Sequence, residues 1–167
     1  MRIAILGNAG GGKSTLARRL AGAHELPYVE VDSFLWTPDW DLVPEAEYVA
    51  RHDAVLAGDA WVLDGMGLPG SLDARFARCT AIILVDLPLW QHYWLAAERQ
   101  AAWAAGTVEA PPGGRGERPD TRRLFEFMWM IDRDLMPGIR DQIDAAEARG
   151  TPVIRVRDVG ELDGVQI

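Results

Sequence analysis

The sequence predicts an α/β fold, a parallel β-sheet with helices packed on both faces. Three observations carry that expectation. Short apolar runs alternate with longer stretches of helical spacing, the order of a βαβ chain rather than an all-α or all-β one. The first apolar run leads straight into Gly7-Asn8-Ala9-Gly10-Gly11-Gly12-Lys13-Ser14, which fits the phosphate-binding pattern G-x-x-x-x-G-K-[ST]. Lys13 is also the only lysine: the other sixteen of the 17 Lys and Arg residues are arginine. A cation that only faces water is therefore an arginine here, and one position has kept a compact ammonium. Its three rotatable donors fit between the phosphates of a nucleotide, where a flat guanidinium does not.

Taken in order, Arg2–Leu6 reads as a buried strand, followed by the loop and a helix to about residue 22. Pro27–Val31 reads as a second strand ending at Asp32. Ser33–Pro44 is polar and aromatic, and 45–57 has helical spacing. Trp61–Leu63 is a third strand, ending at Asp64-Gly65, and Ser71–Ala77 a short helix. Ala81–Val85 is the clearest buried strand, ending at Asp86. Leu89–Ala105 is a long helix. Residues 106–120 are rich in Gly, Pro and Arg without apolar periodicity and read as a loop. Thr121–Arg149 is helical with a kink or break before Pro137. Val153–Val156 is a last strand.

Composition limits the function. At 167 residues one domain spanning 1–167 is expected, long enough to bury a core. The net charge of −8 speaks against a general nucleic-acid-binding surface. One cysteine, Cys79, allows no internal disulfide and no multi-thiolate metal site, and reads as a small buried hydrophobe. No signal-like segment and no run of the roughly 20 apolar residues needed to span a bilayer is present, so the cytoplasm is expected and no membrane partner.

The loop has a direct physical reading. Gly7, Gly10, Gly11 and Gly12 let the backbone wrap an anion, and successive amides, including those of Asn8 and Ala9, form a nest for it. The helix starting near Lys13 adds its positive end. Ser14 is placed to offer its hydroxyl to Mg²⁺, and Thr15 continues the cradle. ATP and Mg²⁺ are thus the expected ligands, with Gly7 to Thr15 as the binding segment. Asn8 is the only asparagine in the chain, so a guanine-reading N-K-x-D motif cannot exist.

Asp32, Asp64 and Asp86 each end an apolar strand, the edge of a parallel sheet where ligands bind. Carboxylates there hold Mg²⁺ or orient substrate; equally, aspartate caps the turn that follows a strand. Ser14, Asp64 and Asp86 are the expected metal ligands. Phe34, Trp36 and Trp40 wall either an acceptor pocket or a small extension of the core. Trp90, Tyr93, Trp94, Trp103, Phe125, Met128 and Trp129 read as core or lid packing. His24, His52 and His92 share no metal-ligand spacing and read as structural or surface residues.

Gly7–Thr15, Val31-Asp32 with Trp36 and Trp40, Trp61–Gly65 and Ile82–Pro88 follow one another in an order that resembles the adenylate-kinase-like branch of P-loop kinases. In particular it is similar to bacterial proteins described as DNA-topology-modulation kinases or adenylate-kinase-related proteins. The resemblance implies a three-layer α/β/α P-loop fold with a five-stranded parallel sheet in the order 2-3-1-4-5. It implies that the Asp64 carboxylate organises Mg²⁺ and that Asp32 faces the acceptor, within an acceptor segment 32–58. Residues 106–120 correspond to the lid, and the turn near Arg157 and Asp158 to the adenine-binding segment. The lid arginines depart from the family's dense run: Arg99, Arg115, Arg118, Arg122, Arg123 and Arg133 are interleaved with acids, and Arg99 and Arg122 are the expected catalytic pair.

The function expected on these grounds is transfer of the γ-phosphoryl group of ATP to a small acceptor, with Lys13, Asp32 and Asp64 in the chemistry. Overall resemblance favours a nucleoside monophosphate as acceptor. The strand-two aspartate favours a hydroxyl compound, as in shikimate and gluconate kinases. A nucleotide-operated regulatory switch is the reading from another class. The sequence leaves the oligomeric state open.

Overall fold

A computed structural model of the protein describes residues 1–37, 41–108 and 120–167. Five parallel strands form one sheet: β1 (Arg2–Gly7), β2 (Tyr28–Glu30), β3 (Trp61–Asp64), β4 (Ala81–Val85) and β5 (Val153–Val156). Their order across the sheet is β2-β3-β1-β4-β5, the expected P-loop arrangement. β1 is central, pairing Ile5 with Asp64 on one side and Gly7 with Val85 on the other. The carboxyl ends of three strands therefore surround the segment that follows β1.

The helices are α1 (Lys13–Ala23), α2 (Glu45–Leu56), α3 (Leu72–Arg78), α4 (Leu89–Ala104), α5 (Thr121–Met130) and α6 (Met136–Ala148). Side chains alternate across a strand, so β1 feeds two cores. Ala4 and Leu6 join Leu63, Leu84, Phe76, Ile139 and Ile143 on one face. Ile3 and Ile5 join Val62, Ile83, Leu16, Leu20 and Val165 on the other. Helices on both faces cover strands that are apolar at almost every position, as parallel sheets require.

Local departures from the expected elements have identifiable causes. β2 is an edge strand of three residues and stops at Glu30, where the Ser33 hydroxyl donates to the Glu30 carbonyl at 2.7 Å. The chain turns there into a 3₁₀ helix, Val31–Leu35, so Asp32 sits on that turn rather than on a strand end. The helix expected at Ser71 begins at Leu72, after a 3₁₀ turn over Pro69–Ser71. The interruption before Pro137 is a single π-helical turn, Ile131–Leu135, between α5 and α6. Proline at the start of α6 needs no amide hydrogen bond, and the wide turn absorbs the change. A short 3₁₀ turn, Val159–Gly164, follows β5. Among the described residues no helix is long and apolar enough to cross a membrane. Trp40, Arg115 and Arg118 lie outside the described residues, as does most of the expected lid.

Candidate nucleotide and acceptor site

The Gly7–Ser14 loop runs from the end of β1 into α1, and its neighbours explain its sequence. Gly7 has φ +142°, and a Cβ on it would stand 2.3 Å from the Val85 carbonyl oxygen. Asn8 is buried and does not face the loop's interior. Its side-chain amide donates to the Met128 carbonyl on α5 at 2.7 Å, and its Oδ1 accepts from the Ala9 amide at 2.7 Å. Asn8 thus holds the loop from behind. His92, on α4, lies against the loop: its Nδ1 is 3.0 Å from the Ala9 carbonyl, and a Cβ on Gly11 would meet its ring at 2.6 Å. Burial and the Lys13 charge push His92 down to about 4, so at neutral pH it is an uncharged wall of the loop.

Gly12 precedes α1 without any side-chain cap, and the first turn of α1 carries no acid. The helix's leading amides and its positive end are left for an anion. The Lys13 ammonium curls back to donate to the Asn8 carbonyl at 2.7 Å. Burial lowers its pKa, and the nearby Asp64 and Asp32 carboxylates oppose that shift.

Among the described residues, two clefts open on the loop. One, of about 200 Å³, is lined by the Ala9–Thr15 backbone, Lys13, Glu30, Asp32 and Arg99. The other, of about 310 Å³, lies on the far side of Gly10 and Gly12, bounded by Thr15, Arg19, Leu95, Leu162 and again Arg99. Arg99 is common to both. Its Nε is buried without a hydrogen-bond partner, and its guanidinium lies 5.1 Å from the Trp103 ring centre.

Asp64 is 1% exposed. The Tyr28 hydroxyl donates to its Oδ2 at 3.1 Å, while Oδ1 is buried with no partner. The Arg18 guanidinium covers the Tyr28 ring at 5.1 Å. Asp32 is held differently. Its Oδ1 accepts from the Gly67 amide at 2.7 Å. Burial raises the pKa of Asp32, opposed by the Gly67 hydrogen bond and by Lys13. Glu30 is raised by burial and then by the Asp64 and Asp32 charges.

Other expected site residues fall elsewhere. Asp86 is turned away to Arg140 on α6, which donates to its Oδ1 at 2.8 Å. Arg122 is exposed and paired with Glu126 one turn along at 2.8 Å. Neither Arg122 nor Arg157 lines either cleft; the Arg157 amide donates to Glu161 at 2.7 Å, and Leu162 from the same turn does the lining. Trp90 and Trp94 stack on each other but are 59% and 55% exposed, so they are not core. Tyr93 and Phe125 do pack, with ring centres 4.8 Å apart, and Met128 is fully buried. Cys79 is only partly buried, and burial raises its thiol to about 11.

Sequence reasoning passed over Tyr28, Glu30 and Arg75. Arg75 is completely buried: it donates to the Gly65 carbonyl at 2.7 Å, to the Met66 carbonyl at 3.2 Å and to His52 Nε2 at 3.3 Å. It pins the turn after β3 on which Asp32 rests. In sequence it is one arginine among many on a short helix, and no spacing marks it. Glu30 was legible only as the residue two before Asp32.

Among the described residues no group of three or more His, Cys, Asp or Glu could hold a metal ion by itself. The orphaned Asp64 Oδ1 and the Ser14 hydroxyl are nevertheless hard oxygen donors beside the loop. They suit Mg²⁺, which takes few protein ligands and completes its shell with water and phosphate oxygens.

No family model matches the chain, and no curated protein matches it. Among solved structures it is similar to a gluconokinase from Sinorhizobium meliloti 1021, with 16% identity and a TM-score of 0.47 over 84% of this chain and 96% of that one.

Proposed function

We propose that the protein is an ATP-dependent phosphotransferase that moves the γ-phosphoryl group to a small acceptor, in the manner of the adenylate-kinase-like P-loop kinases it resembles. One observation carries the reading. The amide-lined loop with its lone ammonium and the Asp32 carboxylate share a single cleft of about 200 Å³, so a donor tail and an acceptor group can meet there.

The Gly10–Ser14 amides and Lys13 hold the β- and γ-phosphates, exchanging the Lys13–Asn8 contact for phosphate oxygens. The adenosine part lies in the larger cleft between Arg19, Leu95 and Leu162. Ser14 and Asp64 would hold Mg²⁺, which when bound neutralises charge on the terminal phosphates. Tyr28 occupies one Asp64 oxygen and leaves the other, buried Oδ1, without a protein partner. Arg99, common to both clefts, is placed to meet negative charge on the transferring group, since its unpaired Nε has donor capacity to spare. Asp32 orients the acceptor, fixed in place by Gly67. Asp86 has no part in this scheme, because Arg140 occupies it.

Coupled ADP release in the presence of Mg²⁺ tests the reading over a panel of nucleoside monophosphates and hydroxyl compounds. Acceptor-stimulated ADP release supports it. ATP binding with slow hydrolysis that no acceptor alters, and ATP-dependent capture of a protein partner, would instead support a switch.

A further inference from the structure

We infer that the acceptor is a hydroxyl compound without an anionic group, uncharged or amine-bearing, and that Glu30 together with Asp32 selects it. This rests on the phosphotransferase reading above and narrows its acceptor. The argument is one of charge. In the cleft beside the loop the described cations are Lys13 and Arg99 and the described acids are Glu30 and Asp32; the scheme above commits both cations to the triphosphate, which leaves Glu30 and Asp32 to the acceptor. Buried Asp64 stands close enough to act on Lys13, Tyr28 and Glu30.

The rest of the acceptor segment supplies no compensating cation. Residues 32–58 hold six acids and a single arginine, Arg51, and no lysine. Arg51 is exposed and ion-paired with Glu47. Arg75 lies below the site, but its guanidinium is spent on the Gly65 and Met66 carbonyls and on His52. A phosphomonoester or a carboxylate entering this cleft would meet Glu30, Asp32 and the triphosphate together, and among the described residues the one guanidinium lining it, Arg99, is committed to the transferring group. Recognition of such groups ordinarily relies on arginine forks, and juxtaposed like charges are strongly selective against a ligand. Hydroxyls, by contrast, can donate to Glu30 and Asp32, and an ammonium gains an ion pair with Glu30.

In the transfer itself the acceptor hydroxyl oxygen forms a bond to the γ-phosphorus. The bond from that phosphorus to the bridging oxygen breaks, and its electron pair leaves with ADP. The hydroxyl proton passes to Asp32 and from there to water.

The test uses pairs of compounds that differ in the anionic group: glucitol and glucosamine against gluconate, and adenosine against AMP. ATP binding is measured first by calorimetry. ADP release with each compound then gives kcat/KM. The expected result is stimulation by at least one uncharged or amine-bearing member, with kcat/KM roughly tenfold or more above its anionic partner. Glu30→Gln is expected to narrow that gap, read as the ratio of kcat/KM for the two members of each pair within the same variant. Preferred turnover of AMP or gluconate would overturn the inference and leave the phosphotransferase standing. Tight ATP binding with no stimulation by glucitol, glucosamine or adenosine would also overturn it. Failure to bind ATP at all would instead remove the reading on which it rests.

Discussion

Gly65 and Asp32 are in direct contact: a Cβ added to Gly65 would stand 2.5 Å from Asp32 Oδ2. Gly65 also has φ +108°, a conformation that side chains rarely adopt. The glycine after β3 therefore leaves room for the Asp32 carboxylate. Gly65→Ala is expected to cost about 1–3 kcal/mol of stability and to lower kcat more than ATP affinity, because Asp32 must move while the loop need not. Thermal melts and steady-state kinetics on the variant check this; unchanged kcat would mean that the position of Asp32 does not matter to turnover.

Lys13→Ala is expected to weaken ATP affinity by about one to two orders of magnitude with little loss of fold stability. Burial lowers the pKa of the ammonium in the free protein, and among the described residues it makes one hydrogen bond, to the Asn8 carbonyl, so its removal costs the free protein little. Calorimetry and circular dichroism separate the two quantities. Normal ATP affinity in this variant would remove the loop from the site.

Asp64→Asn is expected to lower Mg²⁺-dependent turnover by about 10- to 100-fold or more, while Mg²⁺-free nucleotide binding changes much less. Tyr28→Phe removes the hydroxyl donor at 3.1 Å from Asp64. It should act in the same direction with a smaller effect and raise the Mg²⁺ concentration needed for half-maximal rate. Equal effects of Asp64→Asn on both measurements would make the residue purely structural.

His52 and His92 make stability depend on pH. Burial lowers each from 6.5 to about 4, assisted by Arg75 for His52 and by Lys13 for His92. A base with a depressed folded pKa stabilises the fold above its unfolded pKa, because between the two values only the unfolded chain takes up the proton. Their contribution is therefore full above about pH 6.5 and falls as the pH drops toward 4, by up to about 3 kcal/mol for each histidine. Urea titrations at pH 7 and pH 5 are expected to show the loss, and His52→Gln and His92→Gln to flatten it. An equal slope in the variants would assign the pH dependence to other groups.

Arg75→Met keeps much of the volume but leaves the Gly65 and Met66 carbonyls without their buried donor. The expected cost is about 3 kcal/mol, with turnover falling as the turn beneath Asp32 loosens. Arg75→Lys recovers part of both if one donor reaches. Wild-type melting of Arg75→Met would show that those carbonyls find other partners.

The elements that could be read along the chain are those whose cause is local. β1, the loop and α1 follow from an apolar run, glycines at required turns and a lone lysine in consecutive positions. β3, β4 and β5 follow from short apolar segments with clear ends. Boundaries slipped where a neighbour decides them: β2 ends early because an edge strand yields to the Ser33 hydroxyl, and the helix before Pro137 persists through a wide turn.

The side chains around the site divide along the same line. Lys13, Ser14, Asp32 and Asp64 could be singled out because each belongs to a short pattern. Asp86 belongs to one as well, yet Arg140, 54 residues on, engages it. Glu30, Tyr28, Arg75 and His92 carry no pattern and acquire their places only when β2 meets β3 and α4 meets the loop. By itself the sequence determined the alternating order of the chain and the glycine loop between β1 and α1, since hydrophobic runs and glycine backbones act over a few residues. Which carboxylates face the cleft and which guanidiniums remain to receive a ligand was decided only by tertiary structure. Charge pairing and burial depend on distances in space that no separation along the chain prescribes.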